Sequence, residues 1–158
     1  MLAIGCDHGG YDLMQELKEW LAEREILYKD FGCFSKTSCD YPDIAEPVCE
    51  SVLSGECELG LLVCGTGIGM SMAANKIPGI RAAACSETFS AKYTRLHNNA
   101  NILCLGGRVI GGGLAAEILD LFLHTDFEGG RHAVRVNKIA LVEQRHRTCG
   151  SDAPAAEA

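Results

Sequence analysis

The run Cys64-Gly65-Thr66-Gly67-Ile68-Gly69 joins a nucleophilic side chain to backbone that can approach a ligand closely. Cys64 ends an apolar stretch, Leu59–Cys64, and the glycines open a helix-like segment, so unpaired N–H groups there can face a bound anion or a developing oxyanion. The same positive end favours thiolate over thiol. On this segment alone, a tight turn beside an inert buried cysteine is the competing reading. Three sharper chemistries do not fit. A dinucleotide fingerprint needs Gly or Ala at its sixth position, and counting from Gly65 or Gly67 gives Met70 or Met72. A cysteine phosphatase needs an arginine where Met70 stands, and a receiver domain needs an aspartate where Cys64 stands.

Asp7-His8 also follows an apolar run and precedes a helix-period segment, although a capping aspartate and a surface histidine would look the same. His97-Asn98-Asn99 ends another helical segment, where an imidazolium or an asparagine is locally stabilising. The basic residues inform by their distribution. Positions 131 to 147 hold Arg131, Arg135, Lys138, Arg145 and Arg147 against Glu143, a net +4 that leaves −11 on the remainder of a chain of net charge −7. Arg131 and Arg135 are one helical turn apart, directly after Gly129-Gly130 and beside His132. Two guanidinium groups at a helix start oppose the helix dipole unless an anion lies between them, so this pair is expected to hold phosphate.

These groups fall at junctions between apolar runs and helix-period segments. Strands are expected at Leu2–Cys6, 26–31, Leu59–Cys64, 81–85 and 102–105. The first helix carries Leu13, Leu17, Trp20 and Leu21, and the second, opened by Pro42, carries Ile44, Ala45, Val48 and Val52, with Pro47 kinking it or delaying its start. Further helices are expected over 70–76, 88–97 and 114–123, and a last one over 131–146 turns Val136, Ile139, Ala140 and Leu141 or Val142 toward its packing surface. Such alternation predicts an α/β fold over residues 1–147: a three-layer, doubly wound, Rossmann-like or flavodoxin-like parallel sheet of five strands in the order 2-1-3-4-5, with an extra C-terminal helix. Residues 148–158, rich in Ala, Gly and Pro without periodicity, are expected to form a flexible tail. Ligands in such sheets bind where the strand order reverses, here between the first and third strands, which brings loops 7–10 and 65–69 together.

The 158 residues suit one domain, which at this size hides about 68–70% of its unfolded surface. Apolar runs are too short to cross a bilayer, and the start Met-Leu-Ala-Ile-Gly has no basic leader region, so neither membrane insertion nor secretion is expected. A net charge of −7 disfavours nucleic acid. Nine cysteines, no two closer than six positions, lack metal-ligand or disulfide spacing and fit a reducing cytoplasm.

Taken together, Gly5-Cys6-Asp7-His8-Gly9-Gly10, Asp40-Tyr41-Pro42, Cys64 to Gly69, Ala73-Ala74-Asn75-Lys76, His97-Asn98, Gly107-Arg108 and Gly129-Gly130-Arg131-His132 with Arg135 resemble the ribose-5-phosphate isomerase B type, grouped with the galactose-6-phosphate isomerase subunits. The resemblance runs in order from residue 3 to about 147. It implies interconversion of ribose 5-phosphate and ribulose 5-phosphate through an enediolate, in the pentose phosphate pathway, without metal or organic cofactor. It also implies roles. Cys64 would be the base, His97 the ring-opening group, perhaps aided by Thr66, and the amides of Gly65, Gly67, Ile68 and Gly69 would hold the enediolate oxygen. Asp7 and Asn98 would serve the sugar hydroxyls, Tyr41 would line the pocket, and His8, Arg108, Arg131 and Arg135 would bind phosphate. Members that use a glutamate base carry it where this chain has Met70, which places the chain in the cysteine subgroup. A homodimer is implied, with His97, Asn98 and Arg108 entering the partner's site. A six-carbon sugar phosphate, allose or galactose 6-phosphate, is the alternative substrate, and a non-enzymatic phosphate- or nucleotide-binding module the alternative class. Trp20 and the loop holding Cys33 and Cys39 match no site pattern.

Overall fold

The computed structural model describes residues 1–147; the tail expected at 148–158 lies outside the described residues. The elements run β1 (Leu2–Cys6), α1 (Tyr11–Glu23), β2 (Tyr28–Asp30), α2 (Tyr41–Leu53), β3 (Leu59–Cys64), α3 (Ile68–Ala74), β4 (Ala82–Ala84), α4 (Thr88–Asn98), β5 (Ile102–Gly106), α5 (Gly112–His124) and α6 (Arg131–Arg147). All pairings in the sheet are parallel.

The order is β2-β1-β3-β5-β4, so the last two strands are exchanged relative to the expected 2-1-3-4-5. Burial accounts for the exchange. β5 reads Ile-Leu-Cys-Leu-Gly and is buried throughout, which suits a central position between β3 and β4. β4 is three alanines, part-exposed, and offers too little apolar surface for a central place. The reversal beside β3 survives the exchange, because β1 pairs with β3 on one side and β2 on the other.

Alternation along β3 divides the core. Leu61 and Val63 join Leu13, Met14, Leu17 and Leu21 of α1 and Ala115, Ile118, Leu119 and Phe122 of α5 on one face. Leu62 and Cys64 join Ala45, Val48 and Cys49 of α2 and Met70 and Ala74 of α3 on the other. Each such leucine, fully buried, contributes about 1.5–3 kcal/mol. Pro42 stands in the first turn of α2 as expected, whereas Pro47 neither delays nor ends the helix, which runs through it. α6 departs most from expectation: only His132 is buried, and Val134, Ile139, Leu141 and Val142 are exposed.

Candidate active site

The loops after β1 and β3 meet at the carboxyl edge of the sheet. Asp7 is buried, and its Oδ1 accepts hydrogen bonds from the Gly9 and Gly10 amides at 2.8 and 3.0 Å, closing the turn. A side chain at Gly10 would strike the Val63 carbonyl, so only glycine lets α1 start this close to β3. His8 Nδ1 accepts from the Cys39 amide at 3.4 Å, which leaves Nε2–H as the donor of the neutral ring.

Cys64 lies at the buried end of β3, and the Gly67 amide donates to its sulfur at 3.1 Å. Gly67 adopts φ 77°, a left-handed conformation that glycine takes without strain and that turns this amide back toward the thiol. Thr66 Oγ1 accepts from the Ile68 amide at 3.3 Å. Tyr41, the first residue of α2, lays its ring against Gly69; a Cβ at Gly69 would sit 3.0 Å from the ring. Arg108 is fixed through its backbone, its amide donating to the Gly65 carbonyl at 3.0 Å, and its side chain lies about one carbon's width above Gly65. The resemblance implied that Arg108 serves a second subunit; here it covers the loop of its own chain. Asp7, His8, Tyr41, Cys64, Gly65, Thr66, Gly67, Ile68, Gly69 and Arg108 thus form one cluster. Other buried thiols are held inert, with burial pushing Cys6 and Cys49 up to about 12 and Cys85 up to about 11.

A second cluster forms where α4 ends and α6 begins. His97 and His132 stack with ring centres 4.0 Å apart and planes 4° from parallel. Glu128 Oε2 stands between their Nε2 atoms, 3.5 Å from His97 and 3.6 Å from His132, and Arg131 Nε points at His132 Nε2 from 3.3 Å. Tyr93 meets the His97 ring edge-on, one turn back along α4, and stacks in turn on Phe89. Loss of water contact, then the neighbouring His97, hold the His132 imidazole below its usual range. Arg135 is exposed one turn beyond Arg131, and Asn98 lines a cleft of about 890 Å³ between α6 and the β4 side of the sheet.

The ligand atoms of His97, Glu128 and His132 lie within 4.8 Å of one another, a spacing a metal ion could span. Arg131 directed at His132 and Arg135 nearby oppose a cation, so the arrangement suits hydrogen bonding to an anionic, hydroxylated ligand better than metal binding. Sequence reading passed over Glu128 as a site residue, although it lies four positions before His132, a helical-turn spacing that marks pairs. The Cys39 amide was invisible for another reason: a backbone donor leaves no residue-type signal.

The contacts of the second cluster stay within α4, the segment before α6 and α6 itself. One chain therefore presents an anion-ready loop with a thiol and, separately, an imidazole pair with arginines.

Comparison with known proteins agrees with this geometry. The family model described as Ribose/Galactose Isomerase matches residues 2–139. Ribose-5-phosphate isomerase B of Escherichia coli is 47% identical over 144 residues, covering 91% of this chain and 97% of that protein. The structure of Clostridium thermocellum ribose-5-phosphate isomerase B superposes with a TM-score of 0.90 at 50% identity, covering 92% of this chain and 98% of that one. That of Mycoplasma genitalium ribose-5-phosphate isomerase B with bound ribulose-5-phosphate gives 0.85 at 39% identity, covering 90% and 95%. The chain belongs to the ribose/galactose isomerase family.

Proposed function

We propose that this chain, as one domain over residues 1–147, interconverts ribose 5-phosphate and ribulose 5-phosphate in the cytoplasm, in sites shared between two subunits. The observation that carries this reading is the Gly67 amide aimed at the Cys64 sulfur from 3.1 Å, at the floor of the meeting loops. A sulfur that receives a hydrogen bond there is presented as a proton acceptor, and amides of the same loop are at hand for the oxygen that gains charge. Cys64 takes the proton from C2 of the open-chain aldose and returns it to C1. The enediolate between those steps is held by amides of residues 65–69. Asp7, fixed by two amides, faces the sugar hydroxyls, and Tyr41 closes the side above Gly69. His8 and Arg108 hold phosphate from the loop side.

The second cluster completes the site from the partner subunit. His97 opens the ring with Thr66 assisting across the interface, Asn98 binds a hydroxyl, and Arg131 and Arg135 join the phosphate. Two observations support dimerisation: the catalytic groups fall into separate clusters, and apolar side chains stand exposed beside both, Ile68 and Met72 on α3 and Phe89 on α4. The reaction needs only acid–base groups and oriented amides, and none of the roles given to these residues calls for a metal or organic cofactor.

The test is an assay of the purified protein with ribose 5-phosphate and allose 6-phosphate side by side. Turnover of ribose 5-phosphate with the larger kcat/KM supports the reading. Binding of both without turnover would make the protein a binding module, and a preference for allose 6-phosphate would move the substrate to six carbons.

A further inference from the structure

Two thiols play no part in this chemistry yet lie against it. The loop between β2 and α2 carries Cys33 and Cys39, whose thiols hydrogen-bond to each other. Cys33 Sγ also lies 3.0 Å from the Ser35 carbonyl and 3.8 Å from that of Thr37, so the loop curls around the sulfur. Both side chains are partly exposed, whereas Cys6, Cys49, Cys57, Cys64, Cys85 and Cys104 are buried. Within the described residues, then, an oxidant in solution meets this pair first. The same loop holds the site, because the Cys39 amide supports His8 Nδ1 and two residues later Tyr41 packs on Gly69.

We propose that Cys33 and Cys39 form a peroxide-sensitive dithiol, and that their disulfide weakens anion binding by displacing the Cys39 amide from His8. The two sulfurs divide the work. Hydrogen bonding around Ser35 and from the Cys39 thiol holds the Cys33 thiol below its usual range, which makes it the attacking thiolate; Cys39, shielded from water and donating to Cys33, is held above its usual range and resolves. Cys33 thiolate attacks one oxygen of hydrogen peroxide, giving the sulfenic acid and, with a proton, water. The Cys39 sulfur then attacks the sulfenic sulfur, forming the S–S bond and releasing a second water. Two thiols lose two electrons to one peroxide, and an added dithiol reverses the reaction by exchange. Closing hydrogen-bond contact to a bond of about 2.05 Å draws the Cys39 segment toward Cys33. The effect on catalysis rests on the function proposed above, whereas the bond itself does not.

The test treats the protein with substoichiometric hydrogen peroxide, alkylates remaining thiols and maps peptides. Cleavage at Lys36, between the two cysteines, leaves two peptides joined only by the new bond. The expected result is a Cys33–Cys39 link with Cys64 still alkylated, a rise of about 3- to 10-fold in KM for ribose 5-phosphate with kcat little changed, and full recovery on reduction. The Cys33→Ser variant should keep its KM under the same treatment. Inorganic phosphate, titrated against oxidised and reduced protein, reads the same loss of anion affinity whether or not the sugar phosphate is turned over. Oxidation of Cys64 while Cys33 and Cys39 remain alkylatable would overturn the proposal, as would a linked protein whose KM and phosphate affinity match the reduced form.

Discussion

The loops after β1 and β3 are held from below by the sheet, whereas the end of α4 and the start of α6 are held chiefly by each other. Asp7 and Cys64 are buried on strands whose neighbours fix them on both sides, and glycine at position 10 lets the two loops touch. His97, by contrast, is placed by a stack of rings and one carboxylate at the surface, on a helix end that α6 covers with a largely exposed face. The first region is preorganised by the core of one chain. The second becomes a working surface when a second subunit brings it over the first.

The largest break in this comparison is at the sheet-held end. Cys64→Ala should lower kcat by about 10²- to 10⁴-fold or more while sugar-phosphate binding survives, because the thiolate acts on carbon and the phosphate is held elsewhere. Steady-state kinetics beside a binding titration check this; near-normal turnover would remove Cys64 from the role of base. Next comes the helix-held end. Arg131→Ala or Arg135→Ala should chiefly raise KM, by roughly ten- to a hundredfold for a loss of about 1.5–3 kcal/mol per charged contact. An unchanged KM in both would make the pair an ordinary solvated face.

Glu128 sharpens the contrast, since it steadies an imidazole rather than touching the reacting carbons. Glu128→Gln should lower kcat by about 2- to 10-fold with little change in KM, and shift the pH profile, because a carboxylate beside His97 stabilises its protonated form. A variant with wild-type kcat and pH profile would leave Glu128 without influence on His97. The smallest effect is on stability. His132 is held below the usual imidazole range in the folded chain, so the unfolded chain binds that proton more readily. Its contribution is complete above the ordinary imidazole value and declines as pH falls below it. Melting curves from pH 7.5 to 5.5 should show a shallower acid decline in His132→Gln than in the parent protein.

Legibility in the sequence followed the same division. β3 was readable to the residue, since an apolar run bounded by Glu58 and Gly65 admits little else, and the meeting of loops 7–10 and 65–69 followed from the reversal at β1 and β3. The β5–β4 exchange was not readable from periodicity, which reports which face is buried and not which strand lies beside which; the all-alanine β4 was the overlooked sign of an edge. The Arg131–Arg135 spacing showed on sequence, but Glu128 between two imidazoles depends on α4 and α6 packing together, a tertiary fact. Exposure along α6 was missed because apolar residues at helical spacing look the same whether they face their own core or a second chain.

The account turns on one claim: a site needs the Cys64 loop of one subunit and the His97 cluster of the other. A Cys64→Ala chain and a His97→Ala chain, each inactive alone, can be unfolded, mixed in equal amounts and refolded together. Half of the dimers should then be mixed, each with one site carrying both lesions and one carrying neither, so activity should return to roughly a quarter of the parent value. Mixed dimers that demonstrably form yet remain inactive would place both residues in the same subunit's site and contradict the account.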